Sequence, residues 1–174
     1  HGIRPFCMGK LQDTVVFASE TCALDLLGAE YLRDVQPGEM IVASDQGFYS
    51  KTIIAPRKSK HCIFEYIYFS RPDSKIFGKS VDKIRRQFGR KLAKESPANT
   101  GNIVISVPDS SNTCALGFSS ESGIKHEIGL IRNHYVGRTF IFPSQRLRDL
   151  SVRLKFNTVT GVVKDKEVVI IDDS

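Results

Sequence analysis

The sequence predicts an α/β protein in which a β-rich first region precedes a region built on a parallel sheet. Three observations support this fold class. The predicted strands Ile103–Val107 and Glu167–Ile171 contain continuous rather than alternating apolar runs, which are typical of parallel strands buried on both faces. After Ser80, apolar residues recur at spacings that indicate an amphipathic helix, at Val81, Ile84, Phe88 and Leu92. Before residue 60, short strand-like runs alternate with turn signals.

Composition restricts the protein to the globular class. Its 174 residues are 41% apolar and 25% charged, which excludes a collagen-like, fibrous or wholly disordered chain. No apolar run approaches the roughly 20 residues of a membrane-spanning helix. The four cysteines show no CxxC spacing, so neither a zinc site nor a disulfide framework is indicated. Reduced thiols in a cytosol-like compartment fit best.

In the first region the sequence predicts strands, one short helix and a hairpin. The predicted elements are the strand Thr14–Ala18, the helix Thr21–Leu27 and the hairpin strands Glu39–Ala43 and Phe48–Ile54. Ser19 stands where a helix N-cap belongs, and Gly28 closes the helix. The polar stretch 56–61 predicts a linker, so we expect a domain boundary near residue 60, with domains 1–60 and 61–174.

The second region alternates strands and helices, as βαβ units do. The predicted elements are strand Ile63–Phe69, a helix beginning after Ser80, strand Ile103–Val107, helix Thr113–Ser122, strand Glu127–Ile131 and strand Glu167–Ile171. Arg132–Lys155 is predicted to be an unusually long connection, in which Gly137 and Pro143 break any helix. No crossover helix follows the last strand before Ser174, so we expect the chain to be a piece of a longer protein, cut at both ends.

Positive charge is concentrated in the long connection. The chain carries a net charge of +6, whereas residues 1–60 contain equal numbers of acidic and basic side chains. Within 132–155, only Asp149 opposes six cationic side chains, those of Arg132, Arg138, Arg146, Arg148, Arg153 and Lys155. This uneven distribution favours an anion site over a uniformly basic nucleic-acid surface, and a solvated basic face is the alternative.

Polar residues follow two of the predicted parallel strands, where open α/β sheets bind their ligands. The loop Pro108–Asn112 leads into a helix N-terminus and suits a phosphate, although a plain helix cap explains its residue types as well. Asp172 and Asp173 follow the last strand. Adjacent carboxylates suit sugar hydroxyls or hydrated Mg²⁺, and the alternative is an exposed turn.

The long basic connection has the composition of a lid over a polyanion. His134, Tyr135 and Arg138 supply hydrogen-bond donors, and a cationic lid would exclude water and neutralise charge on a leaving group. A phosphate-binding turn, paired carboxylates and a cationic lid on one parallel sheet together predict a phosphorylated sugar as the ligand.

Seven stretches, in order and covering essentially the whole chain, carry a family resemblance. They are HGIRP at His1, FASETCALD at Phe17, RDVQPGEM at Arg33, CIFEYIYFSRPDS at Cys62, VPDSS at Val107, NHYVGRTFIFPSQ at Asn133 and VVIIDDS at Val168. The sequence closely resembles the glutamine phosphoribosylpyrophosphate amidotransferases (amidophosphoribosyltransferases). The resemblance implies the β-rich last part of an N-terminal-nucleophile glutaminase domain, followed by the first part of a type I phosphoribosyltransferase domain.

The resemblance also implies an activity and its residues. The family makes phosphoribosylamine, glutamate and diphosphate from glutamine, phosphoribosyl diphosphate and water, and ammonia passes between the two domains. Asp172 and Asp173 match the motif that contacts the ribose hydroxyls and the magnesium complex. Asp109, Ser110 and Ser111 match the diphosphate loop, and Ser111 matches a magnesium position shared with the two aspartates. Tyr135 and Arg138 match the flexible catalytic loop.

Parts of the family's machinery are not in this sequence. The nucleophilic N-terminal cysteine and the glutamine-binding residues would lie upstream of His1, and the 5′-phosphate loop would follow Ser174. We therefore expect the piece alone to be inactive and poorly folded. Cys62 matches the first ligand of a four-iron cluster in some members, but it also occurs in cluster-free members, so a 4Fe–4S ligand and a plain thiol both stay open.

The expected partners follow from the resemblance. They are phosphoribosyl diphosphate and glutamine, with Mg²⁺ as cofactor, a homo-oligomer at full length, and neither nucleic acid nor membrane. The expected location is the cytoplasm, or the plastid in a plant. The rival hypothesis is a non-catalytic regulator that senses phosphoribosyl diphosphate and binds DNA. The charge-neutral first sixty residues count against it.

Overall fold

The computed structural model describes residues 1–55, 57–136 and 144–173. The chain forms two compact units, His1–Arg85 and Arg86–Ser174. This division into compact units does not test the domain boundary that the sequence predicts near residue 60, and that boundary stays a prediction. No helix among the described residues is long and apolar enough to cross a membrane.

The first unit is mainly antiparallel β structure. Its elements are β1 (Cys7–Leu11), β2 (Thr14–Ala18), α1 (Thr21–Leu27), β3 (Glu30–Asp34), β4 (Glu39–Ser44), β5 (Gly47–Thr52), a π-helix (Glu65–Phe69), β6 (Lys75–Ile76) and β7 (Lys79–Ser80). One sheet has the order β2-β1-β3, and β4–β5 and β6–β7 are hairpins. Helix α1 buries Leu24 against Cys7 and Ala29 of the sheet region.

The predicted helix Thr21–Leu27 is confirmed, but one of its two predicted end residues is wrong. Gly28 closes the helix in the left-handed conformation, with φ of 68°, which glycine adopts without steric cost. The N-cap is Glu20 rather than Ser19, and its side chain makes no capping hydrogen bond. The carboxylate of Glu20 instead accepts hydrogen bonds from Arg71 N at 2.7 Å and Ser74 Oγ at 2.8 Å. Glu20 is therefore the N-cap by position, while its side chain bonds to residues that lie about fifty positions away.

The predicted strand Ile63–Phe69 is wrong, because the structure has a π-helix at Glu65–Phe69. The buried guanidinium of Arg85 donates to Tyr66 O at 2.6 Å and to Ser70 O at 2.8 Å. Ser70 Oγ also donates to the carboxylate of Glu65, which is 5% exposed, at 2.9 Å. These partners satisfy backbone and side chain in a helical turn, and tertiary contacts therefore override the strand propensity of the aromatic run.

The second unit contains the parallel strands. Its elements are most of α2 (Val81–Glu95), then β8 (Ile103–Ser106), α3 (Asn112–Ser122), β9 (Leu130–Arg132), α4 (Gln145–Lys155), β10 (Phe156–Thr158), α5 (Thr160–Val163) and β11 (Val168–Ile171). Strands β8 and β11 pair in parallel, as predicted, with Val168 opposite Ile103 and Ile171 opposite Ser106. Val104 also makes an isolated parallel bridge with His126. Strands β9 and β10 are antiparallel.

The core of the second unit lies between the parallel strands and the helices. Its buried residues come from α2, β8, α3 and β11 and are Ala93, Val104, Ala115, Phe118 and Ile171. The predicted strand Glu127–Ile131 is shorter and later in the structure, where regular pairing covers only Leu130–Arg132.

The prediction of an unbroken connection over Arg132–Lys155 is wrong in its second half. Helix α4 occupies Gln145–Lys155, and Ser144 Oγ caps it by accepting from Leu147 N at 3.4 Å. The predicted helix breakers, Gly137 and Pro143, come before this helix in the sequence and do not interrupt it. The segment 137–143 lies outside the described residues.

Candidate functional site

The parallel pairing of β8 and β11 brings the two predicted polar segments together. Ser106 ends β8 opposite Ile171, which ends β11. Val107 N then donates to Ile171 O at 2.9 Å, so the pairing continues to the start of the loop. The carboxyl ends of parallel strands meet at one sheet edge. The loop after β8 and the acidic pair after β11 therefore lie side by side.

Hydroxyl groups of the loop contact the acidic pair directly. Ser110 Oγ donates to Asp173 Oδ1 at 2.9 Å. Ser111 Oγ lies 3.1 Å from the same oxygen and 3.4 Å from Asp172 Oδ1. Ser111 is 0% exposed and immediately precedes α3, so the helix start determines its position. The structure thus brings together four of the residues that the sequence analysis selects.

One acceptor in this cluster has no donor. Asp173 Oδ2 is buried and has no hydrogen-bond partner among the described residues. A buried carboxylate oxygen without a donor is costly unless a ligand donates to it or a cation compensates it. The acidic pair, Asp172 and Asp173, is therefore prepared for a cationic or hydroxyl-bearing ligand.

The donor set fits a magnesium ion that is shared with a substrate. Mg²⁺ takes one or two protein carboxylates and completes its shell with waters and phosphate oxygens. Asp172, Asp173 and the hydroxyl of Ser111 supply that kind of partial shell. Among the described residues no group of three or more His, Cys, Asp or Glu side chains could hold a metal ion by itself. An all-protein metal site is not what this part of the chain offers.

Asp109 lies in the same loop, but its side chain has different partners. Its Oδ2 accepts a hydrogen bond from Arg132 Nη1 at 3.0 Å and lies 3.9 Å from His134 Nδ1. The Pro108–Asp109 peptide bond is cis. The carboxylate of Asp109 is paired with Arg132, the last residue of β9, and lies near His134, whereas Ser110 and Ser111 contact the acidic pair. This ion pair was missed by the sequence analysis, because its partners are separated by 23 positions.

A cleft of about 340 Å³ lies beside this ion pair. Its lining includes Asp109, Asn112, His126, Arg132 and His134. Burial lowers the pKa of His126 from its ordinary value, and Nε2 of that ring is buried without a partner among the described residues. A neutral imidazole at neutral pH follows from the lowered pKa. No sequence signal distinguished His126 from a surface histidine.

Of the two predicted catalytic residues, Tyr135 alone lies among the described residues, and it makes no hydrogen bond to the acidic pair there. The side chain of Tyr135 is 100% exposed, and its backbone N donates to Asn133 Oδ1 at 3.0 Å. Arg138, with Gly137 and Thr139, lies outside the described residues. Their catalytic role stays a prediction.

Cys62, the predicted iron–sulfur ligand, is a free and partly exposed thiol. None of the four cysteines, all of which lie among the described residues, forms a disulfide, and Cys7 and Cys22 are buried. Burial, followed by the charge of Asp34, raises the pKa of Cys7 to about 11, which makes that thiol a poor nucleophile. The described residues hold no set of thiols for a cluster. Cys62 supplies one ligand at most, and its role stays a prediction.

Comparison with known sequences identifies relatives along the whole chain, although no family model matches it. The amidophosphoribosyltransferase of Bacillus subtilis (strain 168) is 50% identical over 174 residues, which are 100% of this chain and 36% of that protein. The chloroplastic amidophosphoribosyltransferase 1 of Arabidopsis thaliana is 51% identical over 175 residues, covering 100% of this chain and 31% of that protein.

Solved structures show the same fold. The glutamine phosphoribosylpyrophosphate amidotransferase from B. subtilis, complexed with ADP and GMP, matches 99% of this chain and 38% of its own, with a TM-score of 0.88 at 50% identity. The fold and the strand-end cluster define an α/β protein of the phosphoribosyltransferase type with a β-rich region before it. This chain is similar over its whole length to amidophosphoribosyltransferases, and it spans about a third of the length of the curated relatives it matches.

Proposed function

We propose that the full-length protein is an amidophosphoribosyltransferase, which catalyses the first step of de novo purine synthesis. It converts glutamine, phosphoribosyl diphosphate and water into 5-phosphoribosylamine, glutamate and diphosphate. One observation carries the proposal. Ser110, Ser111, Asp172 and Asp173 form a cluster at the joined ends of β8 and β11, in a chain 50% identical to a protein of that name.

In this proposal the acidic pair holds the ribose. Asp172 and Asp173 accept hydrogen bonds from the ribose hydroxyls, and Asp173 Oδ2 gains the donor that the chain itself does not provide. Their negative charge also stabilises the positive charge that develops at the anomeric carbon in the transition state. Bound Mg²⁺ would be held by Asp172, Asp173 and Ser111, and it would offset the charge of the departing diphosphate.

The loop after β8 receives the diphosphate. Ser110 and Ser111 stand at the N-terminal end of α3, where backbone N–H groups and the helix dipole favour an anion. Arg132 masks the charge of Asp109, which would otherwise repel the ligand from the same loop. The chemistry is therefore electrostatic and positional, with no protein nucleophile in the transferase step.

The other parts of the proposal rest on the family alone. Residues 1–60 belong to the end of a glutaminase domain that releases ammonia, and 61–174 to the front of the transferase domain. Tyr135 and Arg138 act in a loop that closes over the substrate. Cys62 is either a cluster ligand or a plain thiol. The full-length enzyme is a homo-oligomer in the cytoplasm or a plastid, and it binds nucleotides, as the B. subtilis relative does.

The test removes the charge of the acidic pair in the full-length protein. Asp172→Asn combined with Asp173→Asn should abolish phosphoribosylamine formation while glutamine hydrolysis stays measurable, because the two reactions use different sites. Calorimetry should show that Mg²⁺-dependent binding of phosphoribosyl diphosphate is lost as well.

The matched control is Asp13→Asn with Asp25→Asn, which neutralises two exposed carboxylates of the first unit. This control should retain both activities. Retention of phosphoribosylamine formation in the Asp172→Asn, Asp173→Asn enzyme would contradict the proposal. So would a wild-type enzyme that takes up no phosphoribosyl diphosphate when Mg²⁺ is present.

A further inference from the structure

Helices α2 and α3 approach each other more closely than side chains permit, and a glycine stands on each side of the contact. A Cβ added to Gly89 of α2 would overlap Cys114 O of α3 and lie 2.7 Å from Phe118 N. Real Cβ atoms essentially never come this close to backbone atoms. Alanine at position 89 therefore requires a backbone shift.

The contact is reciprocal. A Cβ added to Gly117 of α3 would overlap Arg86 O of α2 and lie 2.8 Å from Arg86 C. Residues 86 and 89 of one helix thus meet residues 114 and 117 of the other, backbone against backbone. Glycine is the poorest helix former apart from proline, so local preference does not explain two of them inside helices. The explanation is the close crossing, which only glycine permits.

The crossing lies one to two helical turns from the candidate site. Ser111 immediately precedes α3, and its carbonyl accepts the helix hydrogen bond from Ala115 N at 2.9 Å. Ala115 and Phe118 of the same helix pack with Val104 and Ile171 of the parallel strands. A displacement of α3 therefore carries the hydroxyl of Ser111 with it, whereas Asp172 and Asp173 belong to β11 and its continuation.

We propose that Gly89 and Gly117 are positioning residues for the diphosphate and magnesium site. Their missing side chains let α3 sit close to α2, and that position places Ser111 Oγ within 3.1 Å of Asp173 Oδ1 and 3.4 Å of Asp172 Oδ1. The inference rests on the proposed function. It adds that substrate affinity depends on a helix crossing whose residues do not touch the substrate.

The experiment measures ammonia-dependent transferase kinetics of the full-length enzyme, so that the glutaminase part does not contribute. Gly117→Ala should raise the KM for phosphoribosyl diphosphate roughly ten- to a hundredfold, because displacement of a site group by about 1 Å has effects of that order. The Mg²⁺ concentration required for half-maximal activity should rise in parallel. Gly89→Ala, which pushes the same crossing apart from the other helix, should act in the same direction.

The matched control is Gly161→Ala in α5, where an added Cβ meets nothing within 4 Å. It makes the same chemical change in a helix of the same unit and should leave the KM within about twofold of wild type. A double-mutant cycle separates positioning from general damage. In a Ser111→Ala background, Gly117→Ala should raise the KM far less than it does alone, because the group it displaces is already gone.

Three results would overturn this inference and leave the proposed function standing. They are an unchanged KM and Mg²⁺ dependence in both folded variants, equal effects of Gly117→Ala with and without Ser111, and loss of cooperative thermal unfolding in both variants. The last result counts because the inference requires a local shift of α3 within an intact fold. Absence of phosphoribosyl diphosphate-dependent activity in the wild-type enzyme would instead overturn the proposed function, and this inference with it.

Discussion

Two carboxylate environments, one in each unit, differ in how the chain satisfies their oxygens. In the first unit Glu39 begins β4 and accepts hydrogen bonds from Arg33 at 2.6 and 2.9 Å and from Gln36 N at 2.8 Å. These bonds, that of Arg33 above all, lower the pKa of Glu39 to about 2. Both oxygens of the Glu39 carboxylate therefore accept hydrogen bonds from the chain itself, and no ligand is needed to satisfy them.

In the second unit, one carboxylate oxygen of the acidic pair lacks a hydrogen-bond donor among the described residues. Serine hydroxyls donate to Asp173 Oδ1, while Asp173 Oδ2 is buried without a partner among the described residues. This difference indicates that a carboxylate whose oxygens are hydrogen-bonded by its own chain stabilises the fold. A buried carboxylate oxygen left without a donor, such as Asp173 Oδ2, is instead available to a ligand, and removal of that carboxylate should affect binding more than stability.

The largest expected effect concerns Asp173 alone. Asp173→Asn in the full-length enzyme should weaken Mg²⁺-dependent binding of phosphoribosyl diphosphate by roughly ten- to a hundredfold, because a charge-assisted contact is worth ~1.5–3 kcal/mol. The melting temperature should stay equal or rise, since one of two adjacent negative charges is removed. Calorimetry and thermal unfolding measure the two quantities. A clear loss of stability with unchanged binding would remove the contrast with Glu39.

Arg33→Ala should produce the opposite pattern. It leaves the carboxylate of Glu39, only 7% exposed, without its main donor, so unfolding should become easier by about 1–2 kcal/mol. Solvent limits this loss, because the Arg33 side chain is itself partly exposed and water screens its charge. Transferase kinetics should not change. Adding Glu39→Gln should recover part of the stability, since the unpaired charge is then gone, and urea titrations of both variants provide the check.

The smallest expected effect is the pH dependence of the Arg33–Glu39 clamp. The folded pKa of about 2 lies below the ordinary value of 4.5, so the clamp stabilises the protein fully above pH 4.5. This stability is lost progressively as the pH falls from 4.5 towards 2. Melting temperatures of wild type and Glu39→Gln should therefore converge between pH 6 and pH 3. Parallel curves over that range would show that the clamp does not titrate as described.

The elements around the candidate site followed from local patterns. Continuous apolar runs predicted β8 and β11, and the polar loop before an apolar helical segment predicted α3 to within one residue. The parallel pairing then placed Ser110 and Ser111 beside Asp172 and Asp173, as the strand-end rule requires. The family resemblance supplied their roles, which no local pattern contains.

Other elements were missed because their partners lie far away in the sequence. The run Ile63–Phe69 has strand-forming residues, but Arg85 holds its carbonyls in a helical turn from 15 to 19 positions away. In the stretch before Lys155, the glycine and proline signals obscured α4, since Pro143 precedes that helix instead of interrupting it. Local propensity is weak, and a few tertiary hydrogen bonds or buried side chains outweigh it.

By itself the sequence determined the type of most elements, the parallel arrangement of β8 and β11 and the identity of the acidic pair. Each depends on burial periodicity and strand-end chemistry, which are properties of short segments. Only the tertiary structure decided that Asp109 pairs with Arg132, that Asp173 keeps a free acceptor and that Gly89 and Gly117 allow α3 to lie against α2. These features arise from distances between segments remote in the chain, and such distances are set by the packing of the whole unit.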